Sequence, residues 1–182
     1  MKSSIIALIH ESIGMVQSSN WFSEGHFTVR TCFFIGHHNA PETVHPLLSA
    51  TVERHIVEYG IDRFIVGRYG AFDAMAADSV IRVKQAYPNV ELLLLLPYHP
   101  AERPVELPQG FDGSYYPEGM ERVPRRFAIV RANEYVIRHV CDHLIAYDRY
   151  LATKTHDFVE LALQREKKGL MHVTNLAELK NT

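Results

Sequence analysis

Three short stretches carry residue types able to hold a phosphorylated or sugar-bearing ligand. The first is Gly36-His37-His38-Asn39, directly after an apolar run. A glycine there lets the chain turn sharply and lets backbone N–H groups face an anion. His37 and His38 could hydrogen-bond a ribose or a phosphate, and the same residues would equally make a capped turn with solvated histidines. The second is Gly67-Arg68-Tyr69-Gly70-Ala71-Phe72-Asp73. Its two glycines permit close backbone approach, and Arg68 offers charge to a phosphate. Asp73 either accepts from a ribose hydroxyl or caps the helix that follows. The third is the arginine-rich segment from Arg122 to Arg138, with Arg125, Arg126 and Arg131 between them. A charge run is usually a solvated face. Asn133, however, falls between Ile129-Val130 and Val136-Ile137, where a buried amide would need partners from a neighbouring loop or a ligand.

Several chemistries lack their usual parts. There is no GxSxG elbow, P-loop or GxGxxG, so hydride transfer and P-loop nucleotide hydrolysis have no motif to rest on. His37, His38 and His99 fall on predicted loops among 11 histidines, but no HExxH or comparable helical pair is present, and neither a metal nor a cofactor is expected. The formal net charge is −2, so binding of nucleic acid would need a local basic patch and is not favoured. Cys32 and Cys141 have no metal-type or redox-type spacing and are expected to be reduced structural thiols, which suits a cytoplasmic protein.

The elements that must position these residues alternate. Phe27 to Ile35 predicts a strand, Pro41 to Tyr59 a helix, Arg63 to Val66 a strand and Ala71 to Tyr87 a helix. Val90 to Leu96 (VELLLLL) is an almost unbroken apolar run, expected of a central parallel strand covered on both faces. Pro97 to Pro124 reads as a long irregular connection with a candidate strand at Gly113–Tyr116. A helix over Arg125–His139, a strand at His143–Tyr147, a helix over Thr155–Lys168 and a strand at Leu170–Asn175 complete the 182-residue chain. This predicts an α/β, three-layer Rossmann-like domain with a five-stranded, mainly parallel sheet, in an order such as 3-2-1-4-5. Ligands in such sheets sit beyond the carboxyl ends of the strands, at the switch in strand order.

Residues 1–27 read as an N-terminal extension, partly disordered, ahead of the domain at 28–182. The apolar run Ile5–Ile9 is too short for a signal-peptide core, and Met15 is a candidate start. No run is long enough to cross a bilayer, and no membrane association is expected.

On these residues the chain resembles the SLOG (Smf/DprA–LOG) superfamily, and within it the YpsA/YoqJ-like branch. The matching stretches are Thr31–His38, Phe64–Ala77, the strand ending Leu96-Pro97-Tyr98, Arg126–Asn133 and Cys141–Tyr147. The resemblance covers about residues 28–176. It implies a Rossmann-like fold and a pocket for nucleotides or nucleotide sugars lined by Gly36, Arg68, Gly70, Asp73, Arg131 and Asn133. Some members cleave the N-glycosidic bond of nucleoside monophosphates; others bind DNA or sense nucleotide signals.

The chain departs from the family pattern in places. His38 stands where the family has arginine, and Gly67-Arg68 stands for a Gly-Gly pair. The Gly-Gly before the last helix is replaced by Asp148–Thr155, where Thr153 and Thr155 could still cap the helix and bind a phosphate. The hydrolase signature PGGxGTxxE is missing. The expected function is binding of a nucleotide or nucleotide-sugar ligand by Gly36, His37, His38, Gly67, Arg68, Tyr69, Gly70, Asp73, His99, Arg131, Asn133, Thr153 and Thr155. The alternatives are a nucleoside-monophosphate N-glycosidase with Asp73 as its catalytic carboxylate, and a DNA- or protein-interaction module using the Arg122–Arg138 helix. A homo-oligomer is compatible with the sequence.

Overall fold

The computed structural model describes residues 29–179. The N-terminal extension, Met15 and the first residues of the predicted first strand, Phe27 and Thr28, lie outside that range. The strands are β1 (Thr31–Gly36), β2 (Arg63–Val66), β3 (Glu91–Leu95), β4 (Gly113–Tyr115), β5 (His143–Tyr147) and β6 (His172–Asn175). Between them run the helices α1 (His45–Tyr59), α2 (Ala71–Val83), α3 (Ala128–His139) and α4 (Lys154–Glu166). The strands form one parallel sheet in the order β4-β3-β2-β1-β5-β6.

Alternation along the strands splits the core in two. Phe34, Phe64, Val66 and Leu92 point to one face, where Leu48 and Val52 of α1 and Met75, Ala76 and Val80 of α2 cover them. Phe33, Ile35, Ile65 and Leu144 point to the other, against Ala132, Val136 and Ile137 of α3 and Phe158, Val159 and Ala162 of α4. Both faces are therefore buried, the condition under which parallel strands read as continuous apolar runs. The arrangement is a doubly wound α/β sheet that fits the Rossmann-like expectation.

The sheet has six strands where five were expected. The extra one, β4, lies inside the long Pro97–Pro124 connection and pairs with β3 at the sheet edge, Leu93 opposite Gly113 and Leu95 opposite Tyr115. It is short and half-exposed, so apolar patterning marks it weakly. It is held at its start by Asp112, whose carboxylate accepts from the Leu92 N–H at 2.7 Å and from Lys84 at 2.7 Å. The pairing is wholly parallel.

Several helix ends differ from the sequence pattern. Glu42–Val44 and Arg125–Phe127 are 3₁₀ turns that lead into α1 and α3. α2 stops at Val83, and residues 84–86 are turns, because the chain ahead of Pro88 is steered away from helical backbone. Cys32 and Cys141 are buried free thiols, pushed up in pKa foremost by that burial. Among the described residues no helix is long and apolar enough to cross a membrane.

Candidate functional site

Beyond the carboxyl ends of β1, β2 and β3 lies a cavity of about 190 Å³. Its floor is apolar: Phe34, Ile35, Leu95, Pro97 and Phe158. Its polar groups come from Gly36, His38, Gly67, Tyr69, Gly70, Asp73, Asn133, Lys154 and Thr155. β1 lies between β2 and β5, so the chain leaves it in one direction toward β3 and β4 and resumes on the other side with β5 and β6. The cavity thus sits at the switch in strand order. The first turns of α2, α3 and α4 all border it through Gly70, Ile129 and Thr155. Each helix N-terminus carries partial positive charge and unpaired N–H groups.

Two glycines set the cavity's polar wall. A Cβ on Gly67 would stand 2.6 Å from the Asp73 Oδ2, and one on Gly70 would stand 2.8 Å from the His38 Cα. A side chain at Gly70 would meet the backbone of the first loop, so the two loops approach this closely because that position is glycine; at Gly67 a side chain would displace the Asp73 carboxylate of the same segment. The loops are then joined by hydrogen bonds. The Ala71 N–H donates to the His38 carbonyl at 2.8 Å, and the His38 Nδ1–H donates to the Tyr69 carbonyl at 2.6 Å. Because a carbonyl only accepts, the His38 Nδ1 carries a proton, and in the neutral ring Nε2 then keeps its lone pair.

Asp73 is not the N-cap of α2; Gly70 is. Asp73 is the third residue of the helix and reaches back, its Oδ2 accepting from the Tyr69 N–H at 2.9 Å. Burial pushes the Asp73 carboxyl upward in pKa, against the Tyr69 N–H and the nearby His38, which pull it down. Partial burial likewise raises the Tyr69 phenol, helped by Tyr98 and opposed by Arg103 and Arg68.

Of the residues expected to bind, five do not line this cavity. His37 points the other way. It is buried and its Nε2 accepts from the Arg149 N–H at 3.0 Å and the Tyr150 N–H at 3.3 Å, so it clamps the loop before α4. Burial lowers its pKa, although Asp148 lies 3.6 Å away. Thr153 is the N-cap of α4, accepting from the His156 N–H at 3.2 Å and donating to the Tyr150 carbonyl. Arg131 lies on the exposed side of α3 and pairs with Glu134 at 2.8 Å. His99 accepts from the Ala101 N–H at 3.1 Å in an exposed turn. Arg68 opens instead into an adjoining groove of about 380 Å³ with Arg103 and Glu106, which shares Tyr69 and Pro97 with the cavity.

Asn133 is half-buried rather than enclosed, and it faces the cavity. The Thr155 hydroxyl donates to the Gly36 carbonyl at 3.3 Å, which ties α4 to the end of β1. Sequence reasoning missed Lys154, Ile129 and Phe158. Lys154 stands between the two threonines that were singled out, and Ile129 and Phe158 carry no chemical signature beyond apolarity. Comparison with protein-family models and with curated proteins finds no match to this chain.

Proposed function

We propose that the cavity binds a nucleotide or nucleotide-derived ligand, and that the chain is a member of the SLOG superfamily. The observation that carries this reading is the convergence of three helix N-termini on a glycine-walled cavity at the switch in strand order. Such an edge offers N–H groups and positive potential to an anionic group, while Phe34, Leu95, Ile129 and Phe158 offer an apolar surface to a base or sugar. The cavity alone is smaller than the ~300–1,000 Å³ of common ligand sites. The adjoining groove extends it, with Arg68 and Arg103 available to a second phosphate.

The test is thermal unfolding of the full chain with nucleoside mono- and diphosphates, ADP-ribose, nucleotide sugars and NAD. A ligand at ~100 times its Kd stabilises by ~2.7 kcal/mol. Ile129 stands on the rim, 37% exposed, so Ile129→Trp should stay folded and lose the shift by filling the mouth. No shift with any member of the panel overturns the proposal.

A second reading, an N-glycosidase acting on nucleoside monophosphates, is favoured by one feature: a half-buried carboxylate, Asp73, in the cavity wall. An oxocarbenium-like transition state calls for such a group near the ribose. Absence of free base after incubation with purine and pyrimidine monophosphates would sink it. The interaction-module reading has less support. Arg122, Arg125 and Arg131 lie beside Glu121, Glu102 and Glu134, so the segment is not a bare basic stripe.

A further inference from the structure

At the opposite, amino-terminal edge of the sheet three histidines converge from three elements. His55 lies in the last turns of α1, His143 opens β5 and His172 opens β6. His143 and His172 are direct partners in the parallel register. One ring nitrogen from each of the three lies within 4.8 Å of the other two. His55 is fully buried and His143 is 4% exposed, while His172 reaches the surface.

The hydrogen bonds around the cluster leave lone pairs facing inward. The His55 Nδ1–H donates to the Thr51 carbonyl at 2.8 Å, so its Nε2 carries no proton in the neutral ring. The Glu166 Oε1 lies 3.6 Å from the His172 Nδ1 and is itself fixed by the Val173 N–H at 2.8 Å. A carboxylate in that place favours a proton on Nδ1 and again leaves Nε2 as an acceptor. The Thr174 hydroxyl stands between these two Nε2 atoms, at 3.5 Å from His55 and 3.4 Å from His172, and its single proton serves only one of them, at long range. The His143 Nδ1 is buried with no hydrogen-bond partner at all. Buried polar atoms normally have partners, so the unpartnered His143 Nδ1 leaves hydrogen-bonding capacity beside the other two rings that a cation would satisfy.

We propose that His55, His143 and His172 bind a late first-row divalent cation, zinc foremost, at the amino-terminal edge of the sheet. Imidazole nitrogens suit this class of ion. The backbone carbonyl behind His55 and the carboxylate behind His172 are the outer-shell partners that orient metal-bound histidines. Tyr59, 5.0 Å ring to ring from both His143 and His172, shields one side with an aromatic wall. A tetrahedral ion at ~2.0–2.1 Å from each nitrogen holds them about 3.3 Å apart, so the rings close by small rotations on binding. His143 and His172 also line a surface groove with Arg30, Asp142 and Met171, from which a fourth ligand would reach the ion. The bound ion would tie α1 to β5 and β6.

The test uses the full chain, stripped with EDTA and titrated with Co²⁺ and then Zn²⁺. One equivalent of Co²⁺ should give the visible absorption of a low-coordinate nitrogen site, displaced by one equivalent of Zn²⁺, and Zn²⁺ should raise Tm. His172→Ala removes the most exposed ligand and should weaken Zn²⁺ binding at least as much as the ~10–100-fold lost with an outer-shell partner. X-ray absorption at the zinc edge of the wild-type protein should show three imidazole ligands, a readout that does not depend on any variant folding. No stoichiometric binding, binding unchanged in folded His172→Ala, or a zinc shell with fewer than two imidazoles overturns the proposal.

Discussion

Asp73 lines the cavity and, at neutral pH, bears a charge that burial disfavours. Its carboxylate is held in the cavity wall, and burial raises its pKa above the ordinary 3.8. A carboxyl whose folded pKa lies above its unfolded value stabilises the fold while protonated, below pH 3.8, and loses that contribution as pH rises through the folded value. At neutral pH the wild-type charge is therefore a cost. Asp73→Asn keeps an oxygen for the Tyr69 N–H and removes the charge. It should unfold at a higher denaturant concentration than wild type at pH 7, with the difference closing as the pH approaches 3.8, and it should abolish any base release the wild type shows. Equal or lower stability at pH 7 would mean the charge is compensated where it stands. The same scale shows what spacing alone conveys. Gly36, His37 and His38 follow one another at a strand end, where successive residues face opposite sides, and Gly36 and His38 line the cavity while His37 turns away. Arg131 and Asn133 lie two residues apart on a helix, about 200° around its axis, so one helix face could not present both. Those exclusions were legible in the sequence. The turn of Arg68 into the adjoining groove was not, because an exposed arginine's direction is set by neighbours that come from distant elements.

At the scale of elements, strand and helix identities followed from apolar periodicity because each buries a continuous stripe. Boundaries did not, since a 3₁₀ entry turn leaves almost no apolar signal; the candidate strand at Gly113–Tyr116 is β4, but its short, half-exposed pattern did not show that it joins the sheet. The connection from β5 to α4 is the most informative segment. Here Ala152 adopts φ 57°, in the left-handed region. That conformation costs an L-residue roughly 1–2 kcal/mol, because Cβ crowds the following carbonyl oxygen. The clamp on His37 and the Thr153 cap hold the loop in place despite it. Glycine removes the crowding but frees the unfolded chain, a loss of about 0.4–1 kcal/mol. Ala152→Gly should therefore raise the unfolding free energy by about 0.5–1 kcal/mol in a urea titration at unchanged m-value. A destabilised variant would mean that the loop relaxes out of the left-handed conformation in solution.

The whole molecule places its two candidate sites at opposite ends of one sheet. β5 begins with His143 in the histidine cluster and ends at Tyr147, which pairs with Gly36 at the cavity. Four strand steps separate them, about 13 Å. Between them lie Phe33, Phe34, Leu144 and Ile145, all buried and packed on both faces. A close-packed core does not deform continuously, so small displacements at one edge should not travel unless the sheet has a second packing to adopt. A pair of substitutions tests this. Gly36→Ala sets a Cβ on the Phe72 ring, which is buried against Tyr147 and cannot swing out to solvent, and overpacking of this kind costs about 1–3 kcal/mol. His172→Ala removes a ring from the other edge, with its packing on Tyr59 and His143. In equilibrium unfolding of both single variants and the double variant, the two losses should add to within about 0.5 kcal/mol, as for sites with no shared partner. A coupling energy above about 1 kcal/mol would show that strain at the cavity reaches the histidine cluster through β1 and β5. The two edges would then be energetically linked through the sheet rather than independent.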